Sequence, residues 1–189
     1  MRVIAGTLKG RVLKAPKGNR TRPTADRVKE ALFSILGPID GGRVIDLYAG
    51  TGALGIEALS RGAEYAVFVE SSYDSVKCLE ANLADLKIQE RAHVIHQPVE
   101  RARNEIARQA PFEIAFCDPP WSKLQEVWEM IVRSELDSYI SPGGFLVLEH
   151  PASCEVEPKL WHEFDLILSR SWGDSAVSIL QRRHLPAER

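Results

Sequence analysis

The sequence predicts a Rossmann-like α/β fold with a seven-stranded, mostly parallel sheet, helices on both faces and a small N-terminal β-hairpin arm. Two observations support this prediction. From Arg43 onward, short β-like runs alternate with helical segments, which is typical of parallel strands joined by crossover helices. The last two β-like runs are separated only by a turn around Gly173, which is too short for a crossover, so we expect an antiparallel C-terminal hairpin.

The size and composition of the chain allow one domain with an appended arm. Its 189 residues, 44% of them hydrophobic, can bury one sizeable core. We expect residues 1–37 to form a basic arm and helix, and residues 38–189 to form the body of the same domain. No apolar stretch approaches the roughly 20 residues needed to cross a bilayer, and the N-terminus lacks a secretory pattern. We therefore expect a cytoplasmic protein, and we expect a monomer.

The distribution of charged side chains points to a binding partner, whereas the cysteines do not point to a metal site. Residues 1–29 contain nine Lys and Arg residues and one acidic residue, whereas the rest of the chain contains 15 basic and 25 acidic residues. A basic arm on an acidic body suggests a polyanionic partner, although a solvated tail has the same composition. The three cysteines lack the spacing of a zinc site, so no metal is expected. The residues predicted to bind such a partner are Arg2, Lys9, Arg11, Lys14, Arg20, Arg22 and Arg27.

The N-terminal region is predicted to be a hairpin followed by a helix. Short β-like runs at 2–5 and 11–13 predict the hairpin. Thr24 can cap the helix, whose apolar residues recur at helical spacing before Gly37-Pro38 ends it. We expect the apolar face of this helix to anchor the arm on the body.

The body is predicted to alternate between strands and helices. The five β-like runs are 44–47, 66–70, 93–96, 114–118 and 145–149. The helical stretches are 55–61, 72–86, 99–109 and 124–135. The runs of the final hairpin are 165–169 and 176–180.

A glycine-rich turn, residues 48–55 and here called the glycine turn, follows the first strand of the body. Gly50, Gly52 and Gly55 have the spacing of a dinucleotide-binding turn, and Glu70 ends the next strand. On these glycines alone, a nicotinamide dehydrogenase would compete, and a tight strand-to-helix turn without a ligand would have the same spacing. Asp46 favours a different cofactor, because a carboxylate before the turn repels a pyrophosphate and attracts an ammonium group.

S-adenosylmethionine has the chemistry that this arrangement favours. Its methionine ammonium would lie near Asp46, its carboxylate near N–H groups of the glycine turn, and its ribose hydroxyls near Glu70. The residues predicted to bind it are Asp46, Tyr48, Ala49, Gly50, Thr51, Gly52, Gly55, Glu70, Ser71, Gln97, Pro98, Val99 and Asp118.

Asp118-Pro119-Pro120-Trp121 follows the fourth strand, at the carboxyl edge where open α/β sheets bind ligands. An exocyclic base amine is a poor nucleophile, because its lone pair is delocalised into the ring. The Asp118 carboxylate and the Pro119 carbonyl could accept its two N–H groups and aim the lone pair at a methyl group. Pro120 restricts Pro119 to extended angles, and Trp121 offers a stacking face. These four residues are the predicted catalytic residues, although a plain loop with a core tryptophan would have the same sequence.

Five blocks of the chain together resemble one family. They are 2–6 with 9–11, 21–24 with 26–33, 46–55, 118–121 and 172–176. In these blocks the chain resembles the RsmD family of bacterial 16S ribosomal RNA guanine-N2 methyltransferases. The resemblance implies a class I methyltransferase fold, S-adenosylmethionine as the donor, and a guanine as the acceptor. In that family the target is guanine 966 of 16S rRNA, either free or in the assembling small subunit.

The chain departs from the family pattern at two places. Gln97-Pro98 stands where relatives often carry a short polar residue beside the adenine, and Trp121 replaces a Tyr or Phe, which preserves stacking. The resemblance also suggests that residues 22–24 line the mouth of the binding site, although Thr24 could simply cap a helix. Glu149-His150 ends another strand at the same edge, and for His150 we expect a hydrogen-bonded structural role.

Two other functions stay open on the sequence alone. One is an amine methyltransferase that acts on adenine or cytosine of RNA or DNA, or on a protein glutamine; by resemblance, Asp118 favours a nucleobase over glutamine. The other is a non-catalytic RNA-binding module that keeps the fold as a scaffold.

Overall fold

A computed structural model describes residues 1–16, 24–126, 129, 136–156 and 163–184 of the chain. Seven strands form one sheet. They are β1 (Arg43–Leu47), β2 (Tyr65–Val69), β3 (Ala92–Ile95), β4 (Phe112–Cys117), β5 (Ile140–Pro151), β6 (Phe164–Trp172) and β7 (Ser175–Arg182). Their order across the sheet is β3-β2-β1-β4-β5-β7-β6.

The sheet is parallel from β3 to β5 and antiparallel beyond β5. β1 pairs with β2 on one side and β4 on the other, and β4 pairs with β5, all in parallel. β7 lies antiparallel between β5 and β6. The predicted fold class and its C-terminal hairpin are therefore confirmed. The strand order reverses between β1 and β4, and such a reversal opens a crevice at the carboxyl ends of the strands.

Four α-helices of seven or more residues lie in the described ranges. They are α1 (Thr24–Leu36), α2 (Ala53–Ser60), α3 (Tyr73–Leu86) and α4 (Arg103–Gln109). Shorter helical turns are Gln89–Arg91, Val99–Arg101, Trp121–Lys123 and Leu136–Tyr139. Ser72 caps α3, because its hydroxyl accepts a hydrogen bond from the Ser75 amide at 3.4 Å. Across the described ranges, none of the helices has both the length and the apolar character that a membrane span requires.

Two predicted helices differ from the structure. The stretch 99–109 was expected to be one helix, but a 3-10 turn over Val99–Arg101 precedes α4. The break falls at Ala102, which is buried with its amide bonded to the carbonyls of Pro98 and Val99, so local packing overrides the helical pattern. Of the predicted helix at 124–135, residues 124–126 are helical and the remainder lies largely outside the described residues.

Apolar side chains fill a core on each face of the sheet. On the first face, Val44, Phe116 and Val147 of the strands pack with residues of α1, α2 and α3. On the second face, the alternate strand residues pack with Ile106 of α4. Burial on both faces explains why the parallel strands read as near-continuous hydrophobic runs. Helices on both faces were predicted and are confirmed.

The arm, residues 1–16, pairs with itself as the predicted hairpin, but over a short distance. The backbone pairing consists of one antiparallel bridge, Arg2 with Val12, and flanking hydrogen bonds such as Val3 N–H to Arg11 at 2.9 Å. Val3 and Leu13 are buried in the first core. The arm is therefore packed on the body by its own apolar residues as well as by α1.

A buried carboxylate on α2 fixes the arm backbone. Glu57 is fully buried and accepts the amides of Ile4 and Ala5 at 2.8 and 3.0 Å. Its charge is balanced by the Lys29 ammonium at 3.3 Å and the Arg61 guanidinium at 2.8 Å. Removal of one partner from such a network leaves a buried charge uncompensated, which strongly destabilises a protein. We therefore regard Glu57 as a structural anchor of the arm.

The arm approaches α2 so closely that one position excludes a side chain. The Thr7 amide donates to the Ser60 carbonyl at 2.8 Å. A Cβ added to Gly6 would lie 1.8 Å from that carbonyl oxygen. Gly10 has a similar left-handed φ, +83° against +80° for Gly6, but a Cβ there would meet nothing within 4 Å.

We predict that Gly6→Ala destabilises the protein more than Gly10→Ala does. Both variants strain a left-handed backbone, which costs about 1–2 kcal/mol. Gly6→Ala also forces the arm away from Ser60, an overpacking that adds about 1–3 kcal/mol. Urea unfolding of the two variants measures the difference, and limited proteolysis of the arm reports its release. Equal losses of unfolding free energy in the two variants would show that the contact with Ser60 is not tight.

Candidate active site

A cavity of about 1020 Å³ opens at the carboxyl edge of the sheet, where the strand order reverses. The strand order places Glu70, Asp46, Asp118 and Glu149 along this edge from β2 to β5, and all four line the cavity. Residues of the arm, α1 and the β6–β7 turn form its other walls. Those wall residues are Met1, Ala15, Val28, Lys29, Leu32, Trp172, Gly173, Asp174 and Ser175.

The glycine turn combines backbone freedom with close packing. Gly50 has a φ of +56°, lines the cavity, and has no atom within 4 Å of an added Cβ. Gly52 and Gly55 face the core instead, because a Cβ would lie 2.4 Å from Leu79 and 2.3 Å from Phe68, respectively. Gly50 therefore lets a ligand approach the backbone, whereas Gly52 and Gly55 let α2 pack on the sheet.

Asp46 lies buried at the end of β1, beneath the glycine turn. Its Oδ2 atom accepts a hydrogen bond from the Gly55 amide at 2.9 Å. The pKa of Asp46 is raised from 3.8 to about 8: burial is the largest cause, the Gly55 hydrogen bond opposes it, and the charges of Asp118 and Glu70 add to it. Without a cation beside it, the carboxyl group is therefore mainly protonated at neutral pH, and a bound cation would favour its ionised form.

Glu70 ties the glycine turn to the start of α3. Its Oε2 accepts the Gly50 amide and its Oε1 accepts the Ser72 amide, both at 2.7 Å. Each carboxylate oxygen has two lone-pair sites, so Glu70 can still accept a hydroxyl donor from the cavity.

The remaining predicted cofactor residues divide between the cavity and its surroundings. Tyr48, Ala49, Thr51, Ser71 and Pro98 line the cavity. Among the residues that the structure describes, Gln97 and Val99 do not line it. Gln97 is exposed, and Val99 is packed in the second core.

Glu100 and Lys123 were missed by sequence reasoning, although both line the cavity. The Tyr48 hydroxyl donates to Glu100 Oε1 at 3.4 Å, and the Lys123 ammonium lies 3.8 Å from the same oxygen. Burial raises the pKa of Tyr48, so this phenol stays a hydrogen-bond donor. The signal for Glu100 was its place just after β3, at the same edge as the other site residues.

The four predicted catalytic residues all line the cavity. Pro120 has an extended backbone (φ −54°, ψ 131°) and its carbonyl accepts the Lys123 amide at 2.8 Å. Pro119 is buried, while 41% of Trp121 is exposed at the rim. Because the charge of Asp118 acts on Asp46, the two carboxyl groups share one electrostatic environment.

His150 is a structural residue, as its sequence context predicted. It is 1% exposed, and its Nε2 pairs with the Ser178 hydroxyl at 2.9 Å. Its Nδ1 pairs with the Pro151 carbonyl at 2.9 Å. Burial lowers the pKa of His150, so the ring is neutral at physiological pH.

The basic side chains predicted to bind RNA are exposed wherever the structure describes them. Arg2, Lys9, Arg11 and Lys14 are all exposed. The Lys14 ammonium pairs with Asp85 at 2.6 Å, an exposed ion pair that can be exchanged for a phosphate at little cost. Arg20 and Arg22 lie outside the described residues, as does the side chain of Arg27 in α1.

One buried side chain connects the arm with the glycine turn. Asn82 of α3 is 2% exposed. Its Oδ1 accepts the Lys14 amide at 2.7 Å, and its Nδ2 donates to the carbonyls of Lys14 and Thr51, both at 3.1 Å. Nothing in the local sequence signals this role.

An acidic cavity lining can in principle suit a metal ion as well as an organic cation. Within the described ranges, no group of three or more His, Cys, Asp or Glu side chains has the arrangement of a metal site. The groups that the cavity offers to a ligand include carboxylates, hydroxyls and the backbone of the glycine turn.

Sequence comparisons relate the chain to methyltransferases over nearly its full length. It matches the family model described as conserved hypothetical protein 95 over residues 1–181. It is 40% identical over 187 residues to YlbH of Bacillus subtilis, which is named as an rRNA methyltransferase, and the match covers 97% of this chain and 100% of YlbH. It is 31% identical to ribosomal RNA small subunit methyltransferase D of Buchnera aphidicola, across 84% of this chain and 83% of that protein.

A solved structure agrees with these sequence matches. The Escherichia coli protein yhhF superposes with a TM-score of 0.79 at 31% identity, and the match covers 98% of this chain and 99% of yhhF. Since the family model and the curated relatives both span most of the sequence, the chain belongs to the conserved hypothetical protein 95 family, the family of the RsmD ribosomal RNA small subunit methyltransferases.

Proposed function

We propose that this protein transfers a methyl group from S-adenosylmethionine to the exocyclic N2 of one guanine in 16S rRNA, at family position 966, with free rRNA or the assembling small subunit as the substrate. The observation that carries the proposal is the place of Asp118. Its carboxyl group lines the same cavity as Asp46 and the glycine turn, one strand away across the point where the strand order reverses.

The β1 side of the cavity suits the methyl donor. Asp46 can balance the ammonium group of the methionine part, and Gly50, whose amide is held by Glu70, leaves space beside the glycine turn for the carboxylate. Glu70 retains lone pairs for the ribose hydroxyls. Cations beside these acids favour their ionised forms, so a cationic cofactor is the ligand that this lining complements best.

The β4 side suits an amine acceptor. The Asp118 carboxylate and the Pro119 carbonyl accept the two N–H groups of the amine and aim its lone pair at the sulfur-bound methyl carbon. S-adenosylmethionine would supply the methyl group from its sulfonium and would leave as the neutral thioether, and the proton of the methylated amine would leave to Asp118 or to water. Trp121 stacks on the extruded base. Positioning and preorganised acceptors are the main sources of rate.

The positive charge of the arm and the names of the relatives both support RNA as the substrate. The exposed cations belong to the arm, whose Val3 and Leu13 pack in the first core and whose Met1 and Ala15 line the cavity. The YlbH and RsmD relatives carry the names of rRNA methyltransferases. A basic surface beside a cavity with room for a cofactor and a base suits a protein that modifies RNA.

The proposal is tested by transfer of labelled methyl groups to three substrates: small subunits from cells that lack this protein, their naked 16S rRNA, and DNA. We expect labelled N2-methylguanine at one position, identified by nuclease digestion and mass spectrometry. Labelled DNA with unlabelled subunits and rRNA would contradict the proposal. Calorimetry without any S-adenosylmethionine binding would favour a non-catalytic RNA-binding module.

Removal of the acceptor at Asp118 should abolish most of the transfer. We expect Asp118→Ala to lower kcat by about 10²–10⁴-fold, because the amine loses the group that orients and deprotonates it. The thermal midpoint should stay near that of the wild type, since Asp118 is exposed. Glu90→Ala removes an exposed carboxylate before β3, outside the cavity lining, and serves as the control. Turnover in Asp118→Ala equal to that of the control would refute this mechanism.

Cofactor binding should release a proton from Asp46. Its pKa of about 8 means that the carboxyl group holds a proton at pH 7, and a bound ammonium lowers that pKa. The affinity for S-adenosylmethionine should therefore rise from pH 6 to pH 8. Calorimetry at pH 7 in buffers of different ionisation enthalpy should give about one proton released by the wild type and none by Asp46→Asn. If both proteins release the same number of protons on binding, Asp46 does not contact the ammonium group of the cofactor.

The arm should set the salt dependence of RNA binding. Lys9→Ala with Arg11→Ala should lower the affinity and reduce the slope of log K against log salt by about 1–2, since each phosphate contact contributes about 0.9. Arg103→Ala with Arg108→Ala removes the same charge from α4, which packs on the second core, and should leave the slope unchanged. Identical slopes for the two double variants would assign the arm a purely structural role.

A further inference from the structure

We infer that Glu149 determines the base specificity of this site: its carboxylate accepts the N1–H of a guanine whose N2 amine lies against Asp118. The inference rests on the proposed function and adds a residue that reads the base. It names the contact that distinguishes guanine from the other bases that carry an exocyclic amine.

The register between β4 and β5 places Glu149 beside Asp118. Ile114 pairs with Phe145 and Phe116 pairs with Val147, so the next positions in this series are Asp118 and Glu149. Phe116 and Val147 belong to the first core. Because side chains alternate along a strand, Asp118 and Glu149 continue on that same face. Neighbouring strands are about 4.8 Å apart, so the side chains of Asp118 and Glu149 are close enough to converge on two adjacent donors of one base.

The surroundings of Glu149 suit a flat, partly apolar ligand. Glu149 is half-buried and lines the cavity, and it pairs across the sheet with Val177. Val147, Trp172 and Leu32 line the cavity on the same side. In such surroundings an unmatched polar group costs more than it would in water, so Glu149 can discriminate between bases.

The strand order assigns Glu149 to the acceptor base rather than to the cofactor. Asp46 and Glu70 lie on the β1 and β2 side of Asp118, where the glycine turn is. Glu149 lies on the opposite side of Asp118, towards α1 and the β6–β7 turn. A carboxylate can accept about four hydrogen bonds, so a protein donor on Glu149 does not prevent it from binding a base.

Guanine is the base whose donors match two adjacent carboxylates. Its N2 amine is followed directly by the N1–H group, so two donors lie side by side. The amine of adenine is flanked by N1 and N7, and the amine of cytosine is flanked by N3, all of which are acceptors. Adenine or cytosine would therefore place a lone pair against Glu149. A site built to bind an N–H group can reject an analogue that lacks it by about 10⁴–10⁵-fold.

The test uses small subunits reconstituted with 16S rRNA that carries either guanine or 2-aminopurine at the target position. 2-Aminopurine keeps the N2 amine but has a bare N1 lone pair and no O6. The measured quantity is the ratio of kcat/KM for the two substrates. The loss of O6 affects every variant equally, so it cancels when the ratios of two variants are compared.

We expect the wild type to prefer guanine by at least about 100-fold. Glu149→Gln should reduce this preference by about 10-fold or more, because the glutamine amide can donate to the bare N1. Glu90→Gln removes the same charge at an exposed position before β3, outside the cavity lining, and should keep the wild-type ratio.

A ratio in Glu149→Gln within about 3-fold of the wild type would overturn the inference while the proposed function stands. If Glu149→Gln methylates neither substrate, binding replaces turnover as the measurement. The dissociation constants of the protein for the guanine and 2-aminopurine subunits are then measured in the presence of S-adenosylhomocysteine, and their ratio is compared with that of the wild type at the same 3-fold threshold. A wild type that methylates neither substrate would overturn the proposed function, and this inference with it.

Discussion

The backbone of the glycine turn is held by three polar side chains from three different elements, and the rest of the site depends on this restraint. Asp46 at the end of β1 binds the Gly55 amide, Glu70 after β2 binds the Gly50 amide, and Asn82 on α3 binds the Thr51 carbonyl. A turn fixed at three points is preorganised before a ligand arrives. Two of the three restraints are carboxylates that also line the cavity, so the groups that shape the site are the groups that would bind a cation.

The same restraint links the cofactor side of the cavity to the basic arm. Asn82 is hydrogen-bonded to both Lys14 and Thr51, so a displacement of the arm backbone would disturb the hydrogen bond that holds the glycine turn. Glu57 and Lys29 tie the first residues of the arm to α2 and α1 in a similar way, through buried charges. The arm is therefore part of the construction of the cavity, and its exposed cations are presented from a rigid base.

Much of this arrangement could be predicted from the sequence, because its signals are local. The alternation of strands and helices, the glycine spacing and the polar residues at the strand ends each lie within a few residues. Glu57, Asn82 and Glu100 could not be found in this way, since their partners lie as far as 68 positions away along the chain or depend on the end of a neighbouring strand. The role of Glu149 needed the strand order as well, because nothing local shows that β5 lies beside β4.

A cavity built around Asp46, Glu70, Asp118 and Glu149 is electrostatically unfavourable unless a cation is bound. Burial already raises the pKa of Asp46, and the neighbouring charges raise it further. Two well-packed cores, one on each face of the sheet, offset the unfavourable free energy of these neighbouring acids. A cation beside Asp46 would stabilise the ionised form of this carboxyl group. The acid that fixes the glycine turn is therefore also the group that would bind the ammonium of the methyl donor that we propose.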